Sequence, residues 1–463
     1  MPFNRLFSEI SDINVYPANE IAEGKGDQLS LGDMHANALK LLYILKLYGF
    51  FKMSKRDYDS FVRVYYKRNE HITREHLDKF NQTLKGIAVE ERGKILFIGD
   101  LLGDRGSNDY FVLTVLDRLV QGKVVFEIVL SNHDFEFIMA YETRKDFLPS
   151  CMPAGPFTNS LLALNDLVNK NIISREEIDN LINTVYKPRL KLLSYALDPT
   201  HYAITLYSHA PIGINDIPAL ARKLGVDYQD QTPLKLAETI ENINAVFTQE
   251  YVNKNRVHEL MSNAFMGKIK RHSECDEEKP LEHLMYNRKY KYLSREEVYR
   301  GYKIYYVHGH DSKGKTAGNV YNLENNFGKD RRLPRAEHTA LYTRGKTLFE
   351  LTSEEGARLS EAQDFEEEVD NHRSPLSLML SDLFNVFGGL LLGAPSVVNS
   401  LQQAVFQEEE KEDEARDSLK KITPAWDAHR LPPRSPRRPN DLPKKQEHFQ
   451  ASNFHRHKRN LPG

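Results

Sequence analysis

The stretch that most constrains the fold of this chain is the apolar run Lys94-Ile-Leu-Phe-Ile98, followed directly by Gly-Asp-Leu-Leu-Gly-Asp-Arg-Gly at residues 99–106. A short run of large apolar residues that ends in glycine is typical of a buried parallel strand. Ligands gather where the strands of open α/β sheets end, so Asp100 is expected to project into a site from a rigid element. A single aspartate in this position is more often a turn or helix-capping residue, so the other strand ends decide the question.

Four further apolar runs end in side chains that can bind metal. They are residues 28–31 before Asp33 and His35, residues 124–130 before Asn132 and His133, residues 202–207 before His209, and residues 302–307 before His308 and His310. Asp33 and His35 are two positions apart, which on an extended strand end places both side chains on one face. A single histidine of this kind is more often a hydrogen-bonded structural residue. Five such strand ends together predict one shared metal site.

The residue types at these strand ends suit two adjacent divalent ions. Asp100 is the natural bridging carboxylate between the ions. We expect Asp33 and His35 to complete one ion site, and the other site takes its ligands from the third, fourth and fifth strand ends, at Asn132, His209 and His310. Paired ions about 4 Å apart can hold a hydroxide between them and neutralise a phosphoryl group during in-line attack. The set therefore predicts phosphate-ester hydrolysis without a covalent intermediate.

These motifs resemble those of the calcineurin-like metallophosphoesterases, and within them the phosphoprotein phosphatase type. The resemblance spans residues 32–351 and depends on Gly32-Asp-x-His35, Gly99-Asp through Asp104-Arg-Gly106, Asn132-His133, His209 and Gly309-His310. It implies a metallophosphoesterase-like α/β/β/α two-sheet sandwich with helical insertions. It also implies two divalent ions, with Mn²⁺ expected in assays and Fe or Zn as alternatives in the cell.

The resemblance also assigns roles to the remaining site residues. Arg105 is expected to hold the substrate phosphate together with Asn132 and His133, because a planar guanidinium can bind two phosphate oxygens. His133 is expected to protonate the leaving oxygen, and Asp104 is expected to hydrogen-bond to His133 and orient it. The catalytic residues implied are therefore His133, Asp104 and Arg105. The expected partner is a phosphoprotein substrate, with the choice among Ser, Thr and Tyr left open.

The chain departs from the family pattern at several turns. One extra residue separates Asp100 from Asp104, Ser131 and Asp134 replace a glycine and a glutamate, and Ala210 and Pro211 follow His209 where two glycines are usual. A second phosphate-binding arginine has no clear counterpart, although Arg256 and Arg271 lie in the right interval. Translocated bacterial effector phosphatases of this type are similar in carrying helical insertions, which makes delivery into a host cell an alternative localisation.

The sequence divides into a catalytic region at residues 1–353, an acidic and then apolar helical segment at 354–423, and a basic, proline-rich tail at 424–463 that is predicted to be disordered. Helical insertions are expected at residues 51–92 and 213–300, and a β-hairpin is expected from Thr339–Thr343 and Thr347–Leu351. Residues 1–25 show no strong periodicity. The charge-free run 383–398 has 16 residues, short of the roughly 20 that span a bilayer. Residues 374–406 are expected to cover the core as a helical hairpin, or to contact a membrane surface or a partner together with the basic tail.

Composition sets broad limits on function. The chain has 463 residues, of which 40% are hydrophobic and 28% charged, with a formal net charge of -2. These values are typical of a soluble globular protein and predict no nucleic-acid partner. The two cysteines, Cys151 and Cys275, cannot form a disulfide framework, and neither begins the Cys-x5-Arg loop that a thiol-dependent phosphatase needs. The N-terminus lacks the pattern of a signal peptide. A reducing, cytoplasmic compartment is the default expectation, and the oligomeric state is left open.

Three other functions compete with the phosphoprotein phosphatase. Residues 309–316, Gly-His-Asp-Ser-Lys-Gly-Lys-Thr, fit a nucleotide-binding P-loop, but the asparagine-rich segment after them predicts loop and strand where a P-loop requires a helix. A phosphoesterase for small molecules such as dinucleoside polyphosphates would use the same metal ligands. A binding protein could keep the fold without the activity, although intact ligands at five strand ends argue against this.

Overall fold

The computed structural model describes residues 3–353, apart from residues 22–25, 145, 151, 199, 201, 262–278, 289–294, 311–315, 331–333 and 352. The predictions for residues 354–423 and 424–463, including contacts through 374–406, lie outside the described residues, as do Cys151, Arg271 and Cys275. Within the described part of the chain, no helix is both long and apolar enough to cross a membrane.

A six-stranded sheet carries the first three predicted strand ends. Its strands follow the order β1-β13-β2-β5-β6-β7, with bounds β1 Asn4–Asp12, β2 Gln28–Leu31, β5 Ile95–Phe97, β6 Phe126–Val129, β7 Leu190–Lys191 and β13 Arg335–Thr343. Strands β2, β5, β6 and β7 are parallel, whereas β13 pairs antiparallel with both β1 and β2. The carboxyl ends of β2, β5 and β6 therefore meet at one edge of the sheet.

A five-stranded sheet carries the other predicted strand ends. Its strands are β8 Ser194–Asp198, β9 Ala203–Ser208, β10 Val298–Tyr299, β11 Tyr302–His308 and β12 Val320–Asn322. The central strand β11 runs parallel to β9 and to β12, and antiparallel to β10. A separate two-stranded sheet joins β3 Phe51–Lys52 to β4 Ala88–Val89. The carboxyl ends of β9, β11 and β12 lie together, as those of the first sheet do.

The two large sheets pack face to face through a small apolar layer. Leu96, Val129 and Leu341 of the first sheet contact Tyr207 and Val307 of the second. Tyr207 also donates a hydrogen bond of 2.6 Å to Thr343 Oγ1, and Asn4 Nδ2 donates one of 2.9 Å to Thr205 Oγ1. Side chains that point the other way, such as Ile95 and Phe97, join the main core, which also contains the helices. The predicted two-sheet sandwich with flanking helices is confirmed.

Ten α-helices surround the sheets in the described residues. Their bounds are α1 Ala38–Leu47, α2 Lys55–Tyr65, α3 Arg74–Lys85, α4 Asp109–Gln121, α5 Asn132–Met139, α6 Asn159–Asn169, α7 Arg175–Asn180, α8 Asp216–Leu224, α9 Pro233–Val246 and α10 Pro280–Tyr286. Short turns of 3₁₀ or π helix lie at Asn69–His71, Ala140–Arg144, Pro156–Thr158, Leu181–Tyr186, Lys187–Arg189, Phe247–Val252 and Val257–Leu260. Residues 51–92 thus form α2 and α3 between the strands of the small sheet, and the described part of residues 213–300 is largely helical.

Side-chain caps fix where the helices next to the site begin. Asn37 accepts hydrogen bonds from Leu39 N and Lys40 N at the start of α1. Asn108 caps α4 in the same way, and Ser131 Oγ accepts from Asp134 N at the start of α5. Because each cap satisfies a backbone N–H that lacks a partner within the helix, each of these helices starts at a defined residue.

At the edges of the fold the sequence misses one strand, and one of its predictions is wrong. The segment without periodicity contains β1, a nine-residue strand that pairs along its whole length with β13. The second strand of the predicted hairpin is instead helical from Leu348 onward. Glu350 N donates to Thr347 Oγ1 and Thr347 N donates to Glu350 Oε2, which is the reciprocal pairing that starts a helix. After Thr316 the chain enters β12 rather than a helix, as expected if the P-loop pattern is accidental.

Candidate metal and phosphate site

The predicted ligands lie together where the parallel strands of both sheets end. Asp33, His35 and Asp100 form one group whose ligand atoms lie within 4.8 Å of one another, and Asp33, His209 and His310 form another. All five side chains are buried. Asn132, the first residue of α5, is also buried and reaches His209. The structure therefore brings together the six residues that the sequence nominates as metal ligands.

His209 is the centre of one half of the site. Its Nδ1 lies 2.9 Å from the carbonyl oxygen of Ile98, so that nitrogen carries the proton and Nε2 presents a lone pair. Nε2 lies 2.8 Å from Asn132 Oδ1, 3.1 Å from His310 Nδ1 and 3.6 Å from Asp100 Oδ1. Ligand atoms that bind one ion at about 2.1 Å are separated from one another by distances similar to these three. These four side chains fit a single divalent ion.

Asp33 anchors the other half of the site. Both of its carboxylate oxygens lie 3.1 Å from the backbone N–H of His310, which ties the first sheet to the second. His35 Nδ1 lies 3.0 Å from Asp104 Oδ2, and His35 Nε2 lies 3.4 Å from the carbonyl oxygen of Asn325. Asp100 borders both halves, since it belongs to the group with Asp33 and His35 and lies near His209. This is the position that a bridging carboxylate requires.

Asp104, Arg105 and His133 lie beside the ligands. Asp104 accepts hydrogen bonds of 2.8 and 3.0 Å from Arg105 Nη1, and the guanidinium lies 4.6 Å from the ring centre of the half-exposed Phe157. Asp104 and His133 were expected to form a hydrogen bond. In the structure, Asp104 Oδ1 lies 3.5 Å from His133 Nε2. His133 Nδ1 instead lies 3.1 Å from the carbonyl oxygen of Gly103. Arg256, the described candidate for a second phosphate ligand, forms an exposed ion pair with Glu259.

The backbone around the site adopts conformations that the surrounding structure must enforce. His35, Asp100 and His310 have positive φ angles of 57°, 50° and 62°, a region that residues with side chains seldom adopt. Two glycines make room for the ligands. A Cβ atom at Gly309 would lie 2.0 Å from Asp33 Oδ1, and one at Gly99 would lie 2.5 Å from His209 Nδ1. The glycines of these motifs are therefore required by close contact with the ligands themselves.

Burial and mutual charge shift the pKa values of the site residues in opposite directions. Burial raises the pKa of Asp100, but the neighbouring histidines, His133 first among them, outweigh it, so the net pKa is far below the usual value. Burial lowers the pKa of His133, but the carboxylates of Asp104 and Asp100 outweigh it, so its net pKa is raised. Burial, His209 and the positive charge of Arg288 lower the pKa of His310. Asp100 is thus held as an anion and His310 as a neutral imidazole, which are the forms that bind metal.

Several buried atoms of the site have no hydrogen-bond partner among the described residues. They include Asp100 Oδ1 and His310 Nε2. A buried carboxylate oxygen and a buried imidazole nitrogen without a partner are costly unless they bind a ligand. Their chemistry, with carboxylate, amide and imidazole ligands in one group, fits divalent metal ions.

Sequence reasoning missed two buried charged residues beside the ligands. Glu324 forms an ion pair with Lys329 and lies 3.9 Å from His35 Nε2. Lys40 Nζ donates hydrogen bonds of 2.6 Å to the carbonyl oxygen of Asp33 and 3.1 Å to Asn325 Oδ1. Burial lowers the pKa of Lys40 to about 8. The sequence gives no clear signal for Glu324, because the strand before it is only the three residues Val320–Asn322.

The chain has a mixed α/β architecture, and comparison with known proteins identifies it as a phosphatase domain. The sequence model of the WipA-like phosphatase domain family matches residues 94–329, about half of the 463-residue chain. The chain belongs to this family. The match includes every candidate site residue except Asp33 and His35, which precede it.

A solved structure also resembles the chain. It is the crystal structure of the phosphatase domain from the Legionella effector WipB, which is 32% identical in sequence with a TM-score of 0.55. The comparison covers 64% of this chain and 100% of that chain. No curated protein sequence matches the chain.

Proposed function

We propose that this chain is a two-metal phosphatase that removes phosphate from phosphoproteins, with Mn²⁺ as the favoured ion. The observation that carries the proposal is the convergence of Asp33, His35, Asp100, His209 and His310 from separate strand ends of two sheets. Two divalent ions held there would activate an attacking water and neutralise charge on the phosphoryl oxygens. The resemblance of the sequence motifs to those of the calcineurin-like metallophosphoesterases supports the proposal.

The chain's own residues can bind the phosphate and supply a proton. Arg105 uses Nη1 for Asp104, which leaves Nη2 without a hydrogen bond to any described residue and free for a phosphate oxygen. Asn132 and His133 are adjacent at the start of α5, where Asn132 contacts His209 and His133 lies 3.5 Å from Asp104. Because its neighbouring carboxylates raise the pKa of His133, the ring can hold the proton that the leaving oxygen needs. Asp104 balances the charges of Arg105 and His133.

The similarity to a Legionella effector supports a further part of the proposal. The matched structure is the phosphatase domain of a bacterial effector. We propose that this chain is likewise delivered into a host cell, where the phosphoprotein substrates would be host proteins. A translocation reporter fused to the chain tests this point separately from the chemistry.

Phosphate release from peptides is the primary test of the activity. The full chain is treated with EDTA, dialysed, and assayed with and without added Mn²⁺ on phosphoserine, phosphothreonine and phosphotyrosine peptides. Release restored by Mn²⁺ is expected, and the panel would identify the preferred residue. Turnover that is unaffected by EDTA would refute the metal mechanism, and hydrolysis of nucleotides alone would refute the protein substrate.

Two variants separate metal binding from proton transfer. Asp100→Asn removes the bridging charge, so bound metal and activity should fall together. His133→Asn leaves the ligands in place, so bound metal should be unchanged while kcat falls by about 10²–10⁴, the usual contribution of a general acid. Metal content from elemental analysis and kcat from the peptide assay test both expectations. Normal turnover by Asp100→Asn would contradict the assignment.

A further inference from the structure

The short strand β12 brings a sixth strand end to the site. It pairs in parallel with the last three residues of β11, so both strands end at the same edge. Glu324 follows the end of β12 by two positions, just as Asp33 follows β2 and His310 follows β11. Glu324 therefore occupies the position along its strand that two of the proposed ligands occupy along theirs.

The contacts of Glu324 leave one carboxylate oxygen unexplained. Its side chain is 1% exposed, and Oε1 accepts a hydrogen bond from Lys329 Nζ. The carboxyl groups of Glu324 and Asp33 lie within hydrogen-bonding reach of each other. When both carboxyl groups are ionised neither can donate, and Oε2 of Glu324 is buried without a donor among the described residues. Two buried carboxylates in this position repel each other unless they share a proton or a cation lies beside them.

The backbone on both sides of this pair is fixed in place. Leu323 N donates a hydrogen bond of 2.8 Å to the carbonyl oxygen of His308, which holds the end of β12 against β11. Lys40 bonds to the carbonyl oxygen of Asp33 and to the side chain of Asn325. Glu324 lies between the anchored residues Leu323 and Asn325, so its position relative to Asp33 is set by the fold.

We propose that Glu324 is a further carboxylate ligand of the ion held by Asp33 and His35, with Oε2 as the ligand atom. Lys329 binds the other oxygen and so limits Glu324 to one metal bond. A third carboxylate beside Asp33 and Asp100 makes this half of the site favour hard ions such as Mn²⁺ over Zn²⁺. The inference rests on the proposed two-metal function and adds a ligand and a metal preference to it.

A second buried Glu–Lys pair shows what a purely structural pair looks like in this chain. Glu142 has a side chain 1% exposed and binds Lys187 through Oε1, as Glu324 binds Lys329. Its Oε2, however, accepts hydrogen bonds of 3.1 and 2.9 Å from the backbone N–H and Nδ1 of His258. Both oxygens of Glu142 are satisfied by protein groups. The contrast supports a ligand at Oε2 of Glu324 and makes Glu142→Gln a matched control.

Metal-binding measurements on the full chain test the proposal. Mn²⁺ binding to metal-free protein is measured by calorimetry, and the ratio of bound Mn²⁺ to Zn²⁺ is measured after dialysis against both ions. Glu324→Gln should weaken one of two Mn²⁺ sites by about tenfold or more and shift the bound ratio towards Zn²⁺, without changing the other site. Glu142→Gln should bind both ions as the wild type does.

A second variant separates metal ligation from a structural salt bridge. Lys329→Met removes the competing cation, so a metal-binding Glu324 should hold Mn²⁺ more tightly than it does in the wild type. If Glu324 served only as the partner of Lys329, neither variant would change Mn²⁺ affinity. The rise in melting temperature on adding Mn²⁺ gives the same comparison if Glu324→Gln is unstable.

The outcomes distinguish the two proposals. Two wild-type Mn²⁺ sites that are both unchanged in Glu324→Gln would overturn the role of Glu324 and leave the proposed function intact. Wild-type protein that binds no divalent ion would overturn the proposed function and this inference together.

Discussion

Replacing Gly309 with alanine should disable the site through one contact. A Cβ atom at this position would lie 2.0 Å from Asp33 Oδ1, where an ordinary contact is 3.4 Å or more. The carboxylate must therefore move by roughly 1.4 Å, or the strand end must shift by a similar distance. Either movement breaks the paired 3.1 Å contacts between Asp33 and the backbone N–H of His310.

The expected cost follows from the size of this displacement. A misplacement of about 1 Å in a catalytic group can cost about 10²-fold in rate, and loss of support around a ligand typically costs 10–100-fold in metal affinity. Gly309→Ala should therefore lower kcat/KM by about 10²-fold or more and weaken Mn²⁺ binding by at least about tenfold. Mn²⁺ calorimetry and the phosphopeptide assay measure the two effects on the same preparation.

A matched substitution controls for the general effect of adding a methyl group. Gly86 ends α3, and a Cβ atom there would be 3.4 Å from its nearest neighbour, an ordinary contact. Gly86→Ala should bind Mn²⁺ and turn over peptide as the wild type does. Wild-type Mn²⁺ affinity and kcat/KM in a folded Gly309→Ala protein would refute the claim that this contact positions Asp33.

Three further predictions follow from individual contacts. Arg105→Lys keeps the charge but loses the paired geometry of the guanidinium, so KM for phosphopeptides should rise at least about tenfold with unchanged metal content; an unchanged KM would exclude Arg105 from phosphate binding. Burial raises the pKa of Asp109 to about 7, so the folded state keeps a proton that the unfolded state loses. The free energy of unfolding should therefore fall as pH rises from about 4 to about 7, by about 4 kcal/mol in the limit. Asp109→Asn should reduce this fall in denaturant unfolding, and parallel pH profiles for the variant and the wild type would contradict the prediction. Ser131→Ala removes the helix cap and the acceptor for Asp100 N, so it should cost about 1 kcal/mol of stability and weaken Mn²⁺ binding; wild-type values for both would show that the hydroxyl is dispensable.

The ligands were predictable because they follow strands with a strong apolar pattern. Asp100 follows Ile95–Phe97, in which all three residues are buried, and His209 follows Ala203–Ser208, in which all six are buried. Parallel pairing then brings their ends together whatever the length of the intervening insertions. Local pattern and this one topological rule were sufficient to nominate the six proposed ligands.

Glu324 could not be nominated in the same way. Its strand β12 has three residues, of which only Asn322 is buried, and is held by pairing with β11 rather than by its own apolar pattern. The edge strand β1 was missed for a related reason, because most of its residues are partly or fully exposed and it is held by register with β13. Both elements depend on a neighbouring strand that a local pattern does not reveal.

The expected hydrogen bond between Asp104 and His133 is lengthened to a contact of 3.5 Å between Asp104 Oδ1 and His133 Nε2. In the loop that carries the extra residue, the carbonyl oxygen of Gly103 lies beside His133 Nδ1. Asp104 hydrogen-bonds with His35 Nδ1 and Arg105. The sequence showed the extra residue but could not show which atom it would bring to His133.

The positions at which the chain departs from the calcineurin-like pattern are connected to one another in the structure. Ser131 Oγ accepts a hydrogen bond from Asp100 N, and the carboxylate of Asp134 accepts from Leu101 N and Leu102 N in the longer loop. Ser131 also donates to Asp134, so the two departures in the Ser131–Asp134 turn support each other. A glycine at 131 would supply no acceptor for Asp100 N, and the extra residue adds a backbone N–H that a buried loop must satisfy. The altered turn therefore compensates for the altered loop, and Asp100 lies between the two proposed ion sites despite the insertion.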